Sequence, residues 1–346
     1  MNLIHLFRVK EWMLNKALFN YSIFMSTAII FGMGFRILLI PAGLLLIYIV
    51  SVGALGYFIN DIFDITEDYR AGRKNYLEGI STSMRILMVI VCIVVATIPA
   101  FVLPGIARTY LCLTAFQLLL FFLYSAPPFR LKKRGGGLVA DALFSFLIPG
   151  LIAIVLAGNK LLSELLSSSI FIVALWLFFI GFRSILIHQI KDVEIDIRAG
   201  VKTFTTGHGK LFSTALAKFA LIIEFVLLGL ITVKASVYML PVILNAPALY
   251  LIIEWGIDRH LQNDNFNINT VTSELNQFYN IYLFAAIAFM STLNIHFAFF
   301  IPAMGILVYR LQNEFGQLIR KFYYSVILHL AYKMKGLWRR ITGKMR

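Results

Sequence analysis

LLIPAGLLLIYIVSVGALGYFINDIFDITEDYRAGRK, residues 38–74, carries two different signals in one run. From Leu38 to Ile59 no residue is charged and the apolar side chains do not alternate. About 20 such residues, rising 1.5 Å each in a helix, cross the hydrocarbon core of a bilayer. Only a helix or a closed barrel satisfies its own backbone there, and barrel strands are shorter and alternate. At Asn60 the composition inverts. Asp61, Asp64, Glu67 and Asp68 follow, and then Arg70, Arg73 and Lys74. A membrane helix ending in a dense acidic and then basic segment is the unit from which the rest of the chain is read.

Comparable apolar runs recur at about 16–34, 84–103, 108–124, 138–157, 166–187, 212–232, 236–254 and 277–293, with a shorter one at about 295–310. The expected fold is all-α, a polytopic transmembrane bundle of nine or ten spans, with two pseudo-repeated halves around a central cavity. Residues 1–313 form one domain in this reading. The segment 314–346 is a basic amphipathic tail suited to a membrane surface. Composition agrees: 60% of the 346 residues are hydrophobic, and mean hydropathy is +0.84, well above a soluble domain. The polar opening residues do not read as a cleaved leader. Cys92 and Cys112 sit in apolar runs and read as packing residues.

The net charge of +14 would suggest nucleic acid in a soluble protein. Here the cations gather in particular loops, so contact with anionic lipid and positive-inside topology are expected, with no nucleic acid. Arg8, Lys10 and Lys16 precede the first span; Arg70, Arg73 and Lys74 follow the second; Arg130, Lys132, Lys133 and Arg134 follow the fourth; Lys191, Arg198, Lys202 and Lys210 follow the sixth. The N-terminus and these loops are therefore expected in the cytoplasm. An even span count would bring the basic tail there too.

The loop after the sixth run repeats the pattern of the loop after the second. Asp64-Ile-Thr-Glu-Asp68-Tyr-Arg70-Ala-Gly-Arg-Lys74 and Asp192-Val-Glu-Ile-Asp196-Ile-Arg198-Ala-Gly-Val-Lys202 are both DxxxDxRAGxK. The match points to an internal duplication, each half contributing one acidic helix end. On a helix, Asn60, Asp64 and Asp68 share a face with Asp61 one step around, and Asp192 and Asp196 share another. Such carboxylates also cap helices and pair with Arg70 and Arg198. Two matched copies favour a divalent cation instead, because crowded carboxylates repel and are costly to desolvate near a membrane. An oxygen-only donor set without Cys or His suits Mg²⁺ sharing its shell with a phosphate.

These residues resemble the UbiA superfamily of intramembrane prenyltransferases. NDxxDxxxD at 60–68 and DxxxD at 192–196 match its two acidic motifs. Tyr124-Ser-Ala-Pro-Pro-Phe-Arg130-Leu-Lys132 resembles its loop between spans four and five, and Arg8-Val-Lys-Glu-Trp12-Met-Leu-Asn15 its N-terminal signature. The resemblance implies a helical bundle, typically of nine spans, and Mg²⁺-dependent transfer of a prenyl group from an isoprenyl diphosphate to an aromatic or lipid acceptor. It implies Asn60, Asp64, Asp68, Asp192 and Asp196 as metal and diphosphate positions; Asp61 joins them by proximity. The chain departs from the pattern twice. Gln189 stands where many relatives carry a further Asp, and Lys74-Asn75-Tyr76 replaces a basic-Pro pair.

Arg70, Lys74, Arg130, Lys132 and Lys202 are the expected diphosphate cations, neutralising the leaving group. Asp68 is a candidate base, and Tyr124 and Asp141 complete the expected catalytic set; an acidic residue inside a span is a functional candidate by default. Arg8, Trp12, Asn15, His188 and Gln189 are expected at the cavity mouth or acceptor site. Arg183 reads as a snorkelling cation. Two rival functions fit parts of the pattern: a phosphoribosyl-type glycosyl transfer to a lipid phosphate, and a transporter using the paired carboxylates. The expected location is the plasma membrane of a bacterium or archaeon.

Overall fold

The computed structural model describes residues 16–234 apart from 32, 34, 71, 73, 74, 159–163, 165–167 and 199. The described chain is helical, with no strand among the described residues. In chain order the helices are α1 (Leu18–Ile30), α2 (Phe35–Arg70), α3 (Thr82–Val102), α4 (Ala107–Ser125), α5 (Gly136–Gly158), α6 (Ser168–Arg198), the short α7 (Phe204–His208) and α8 (Lys210–Lys234). Six of these, α2 to α6 and α8, contain segments long and apolar enough to cross a membrane. The three expected spans beyond residue 235 and the basic tail lie outside the described residues.

The expected helices up to 232 are present, and two of them run well past their apolar segments. The two acidic motifs are helical, as their spacing implies. α2 runs on to Arg70 and α6 to Arg198, so both motifs are the closing turns of long helices. Asp, Glu and Arg do not stop a helix; the turn comes at the glycine that follows each motif. Gly72 and Gly200 both take left-handed backbone, φ 64° and 67°. Their amides donate to the carbonyls three residues back, Tyr69 at 3.2 Å and Ile197 at 3.1 Å. The two motifs thus end their helices in the same way, which glycine does at no steric cost.

α5 is the central helix. Every residue from Ile148 to Ala157 is buried, packed against α1, α2 and α4, while its first turns lie on α6. α2 packs on α3 and α6 on α8. Outward faces are apolar as well. Met84, Leu87, Val91 and Val94 on α3, and Phe212, Phe219, Ile222 and Val226 on α8, are exposed. A helix apolar on both faces belongs against lipid.

Inside the bundle, Arg183 corrects the snorkelling expectation. Its side chain on α6 is fully buried, and Nε donates to Glu224 Oε2 of α8 at 2.7 Å. The cation finds its counter-charge within the protein and does not reach for the surface, as a buried charge must.

Candidate active site

α2 places Asn60, Asp61, Asp64 and Asp68 on its last turns. Asp61 and Asp64 are buried, and Asn60 and Asp68 half-buried. The connection from α4 to α5 then crosses over this helix end. After a cis peptide bond between Pro127 and Pro128, Arg130 adopts left-handed backbone at φ 42° and opens a 3₁₀ turn, Leu131–Lys133. That conformation costs a non-glycine residue of order 1 kcal/mol or more, and such strain gathers at ligand sites.

The turn brings two cations to one carboxylate. Arg130 Nη2 donates to Asp64 Oδ1 at 3.0 Å and to the Phe63 carbonyl at 2.9 Å. Lys132 Nζ donates to Asn60 Oδ1 at 3.1 Å and also to Asp64 Oδ1. Ser125 Oγ, at the end of α4, donates to the same Asn60 oxygen at 3.3 Å. The Asp64 side chain is only 12% exposed, so these charges are screened far less than a surface pair.

Gly137 makes the approach possible. A Cβ there would lie 2.5 Å from the Leu131 carbonyl oxygen and 2.8 Å from Lys132 Cα. The first turn of α5 rests directly on the backbone that carries Lys132.

On the second motif, Asp196 is buried and its carbonyl accepts from the Val201 amide at 2.8 Å. Asp192 is half-buried, 3.8 Å from His188 Nε2 one turn earlier. His188 is exposed on α6, and Lys202 is exposed just beyond it. Tyr124 closes the distance between elements. Its ring meets Phe144 of α5 edge-on at 5.1 Å, and its hydroxyl lies within electrostatic reach of both Asp64 and Asp141. Asp141 in turn is within reach of His188. Tyr124 and Asp141 thus stand electrostatically between the two motifs, with Asp64 on one side and His188, beside Asp192, on the other. Arg70 ends α2. Arg8, Trp12, Asn15 and Lys74 lie outside the described residues.

The model of the UbiA prenyltransferase family matches residues 21–276, a stretch that contains both acidic motifs and the cationic turn. The chain belongs to this family. Solved structures agree in fold. A UbiA homologue from Archaeoglobus fulgidus bound to GPP and Mg²⁺ aligns with TM-score 0.56 and 18% identity, over 80% of this chain and 99% of that one. The same homologue bound to DMAPP and Mg²⁺ gives 0.57 and 18%, over 80% and 98%. A digeranylgeranylglyceryl phosphate synthase gives 0.51 and 17%, over 80% and 94%. No curated protein matches the chain.

Both departures from the UbiA pattern have an occupation in this structure. Gln189 is buried, and its Oε1 accepts from the Thr205 amide at 3.2 Å and hydroxyl at 3.4 Å. It ties α6 to the short α7, which Thr203 and Thr206 cap reciprocally. Asn75 Nδ2 donates to Asp68 Oδ2 at 2.8 Å and to the Asp61 carbonyl at 2.9 Å. Neither Asn75 nor Ser125 stands out in the sequence. The only signal for Asn75 was its place in the altered segment after the first motif.

Proposed function

We propose that the protein transfers a prenyl group from an isoprenyl diphosphate to a lipid-soluble acceptor, releasing diphosphate, with Mg²⁺ bound at the acidic helix ends. One observation carries the reading: Asn60 and Asp64 oxygens meet the Lys132 ammonium and the Arg130 guanidinium at a single place. Oxygen donors for a hard cation and cations for an anion, side by side, suit a metal–diphosphate and little else. The A. fulgidus homologue, bound to GPP or DMAPP with Mg²⁺, supports the same reading.

The donor set fits Mg²⁺. Among the described residues no three His, Cys, Asp or Glu side chains gather closely enough to hold a metal by themselves. Mg²⁺ requires no such cage, since it keeps waters and takes one or two carboxylates plus substrate phosphate. Asp61, Asp64, Asp68, Asp192 and Asp196 are the carboxylates that would hold it, and Asn60 a neutral oxygen. When bound, it neutralises the diphosphate as a leaving group. Arg130 and Lys132 turn from Asp64 to the diphosphate oxygens, adding to that neutralisation where negative charge develops. Arg70, Lys74 and Lys202 extend the cationic rim, and Arg8, Trp12 and Asn15 border the cavity mouth. The prenyl tail lies among the spans, nine or ten in number, where each buried CH₂ contributes about 0.8 kcal/mol. The helix ends face the cytoplasm, where the basic loops gather.

The test uses the purified full chain in lipid vesicles with labelled geranyl diphosphate, Mg²⁺ and host lipid extract. The expected result is a labelled lipid and one diphosphate per transfer, stopped by EDTA and restored by Mg²⁺. Asp64→Ala and Asp192→Ala should each lose turnover while remaining folded. Turnover that persists in chelator, or in either variant, would sink the shared-metal reading. Recovery of intact prenyl diphosphate across the vesicle would mean a carrier; consumption of a phosphosugar diphosphate alone would mean glycosyl transfer.

A further inference from the structure

Asp141 belongs to a polar group that the donor site does not use. Lys16, just before α1, donates from Nζ to Ser145 Oγ at 3.0 Å. Ser145 hydrogen-bonds in turn to Asp141, one turn earlier on α5, and the Lys16 charge acts on the same carboxylate. Ser145 is buried. The ammonium thus supplies a counter-charge through the serine and leaves Asp141 with acceptor capacity beside Tyr124.

The helix here is built irregularly. Residues Leu143–Leu147 form a π turn inside α5, a feature that weakens helix regularity and recurs at functional sites. Its Phe144 carbonyl accepts from Gln117 Nε2 of α4 at 2.7 Å. Gln117 Oε1 accepts from the Tyr48 hydroxyl of α2. Two fully buried polar side chains from separate helices therefore serve one turn, the turn that carries Ser145 and the Phe144 ring on which Tyr124 rests.

We infer that Asp141 is the group that takes the acceptor's proton, with Lys16 and Ser145 as its positioning residues, and that the acceptor attacks through a hydroxyl. This rests on the prenyl-transfer reading above. The acceptor O–H gives its proton to the Asp141 carboxylate. Its oxygen bonds to C1 of the prenyl group, and the C1–O bond to diphosphate breaks with the electron pair leaving on diphosphate.

Position favours Asp141 over Asp68. Asp68 lies about 6 Å along α2 from Asp64 toward the helix end, and its Oδ2 already receives Asn75. With the diphosphate at the cationic turn, the prenyl chain would extend toward the bilayer, where its hydrocarbon partitions. Asp141 is inside a span, within electrostatic range of the tyrosine that also senses Asp64. Charge sets the acceptor class. Lys16 and Asp141 balance, so the subsite carries no net positive charge to hold an anionic head group and offers a hydroxyl a hydrogen-bond acceptor.

The test compares wild type with Asp141→Asn, Asp141→Ala, Ser145→Ala and Lys16→Gln, using labelled geranyl diphosphate, Mg²⁺ and host lipid extract. Asp141→Asn should lower kcat at least ~100-fold and leave geranyl diphosphate binding within about 2-fold of wild type. Formate should restore part of the activity of Asp141→Ala. Ser145→Ala and Lys16→Gln should lower kcat with KM for geranyl diphosphate unchanged. Mass spectrometry should find the label joined through oxygen. Near-wild-type transfer by Asp141→Asn, joint loss of donor binding, absence of formate rescue, or a carbon-linked product would each overturn the inference. A wild-type protein that makes no labelled lipid would overturn the prenyl-transfer reading with it.

Discussion

Asn75 holds the first acidic motif from outside the helix: one amide nitrogen bonds the Asp68 carboxylate at 2.8 Å and the Asp61 carbonyl at 2.9 Å. Its own Oδ1 accepts from the Leu77 amide at 3.0 Å, so the side chain is fixed on both ends. Asn75→Ala removes bonds worth about 0.5–1.5 kcal/mol each and loosens the hold on Asp68. The Mg²⁺ concentration for half-maximal activity should rise about 10-fold, with a modest fall in the thermal midpoint. Asn75→Asp should be worse, since it sets a second carboxylate against Asp68. A Mg²⁺ titration of turnover decides it; an unchanged curve in both variants would leave Asn75 as a turn residue only.

Lys132 Nζ contacts Asn60 Oδ1 and Asp64 Oδ1 together. Lys132→Met should therefore lower kcat/KM for the prenyl diphosphate about 10²–10³-fold, the range lost when one charge-stabilising donor is removed. Lys132→Arg should keep part of the activity, because charge survives but a planar fork replaces a compact ammonium. Steady-state diphosphate release measures this. Equal activity in Met and Arg variants would remove Lys132 from the leaving-group role.

Much of this was legible before any coordinates, for physical reasons. The spans show because a bilayer demands long apolar runs, and the metal-type motif shows because its carboxylates repeat at helical spacing and then repeat again in the second half. What stayed hidden depends on contacts between distant segments. Ser125 at a helix end and Asn75 in a turn are ordinary residues until the end of α2 lies beside them. Lys16 counted only as loop charge, yet it meets Ser145 across 129 residues of chain. Arg183 could not be separated from a snorkelling cation, because its partner Glu224 lies 41 residues on. The apolar runs stop near 59 and 187 because they mark the membrane boundary, whereas the helices run on to the glycines.

Gly137 should tolerate no side chain. The 2.5 Å and 2.8 Å approaches of a Cβ to the Leu131 carbonyl and Lys132 Cα are to backbone, which cannot swing aside as a side chain would. Gly137→Ala forces the cationic turn away from α2, and displacements of about 1 Å at a reacting centre can cost of order 10²-fold. Activity should fall by that order, with the loss appearing in KM for the diphosphate as well as kcat. The bundle itself should persist, since the rest of α5 is untouched. Binding of labelled geranyl diphosphate to the variant reads the effect; wild-type affinity would mean the turn adjusts without moving Lys132.

The Arg183–Glu224 pair makes the opposite prediction, a large effect on stability and a small one on chemistry. Both side chains are fully buried, joined at 2.7 Å and 3.3 Å, and they link α6, which carries the second motif, to α8. Removing one partner leaves a charge unpaired in an apolar interior, at about 3–5 kcal/mol. Glu224→Leu and Arg183→Met should each sharply lower the thermal midpoint of the purified protein. Replacing both with apolar residues removes the desolvation cost along with the attraction, so Arg183→Met with Glu224→Leu should recover most of the loss. If the pair only tethers helices, the double variant should also recover turnover. Recovery of stability without turnover would instead mean that Arg183 helps set the direction of the α6 end on which Asp192 and Asp196 sit, nine and thirteen residues further along the helix.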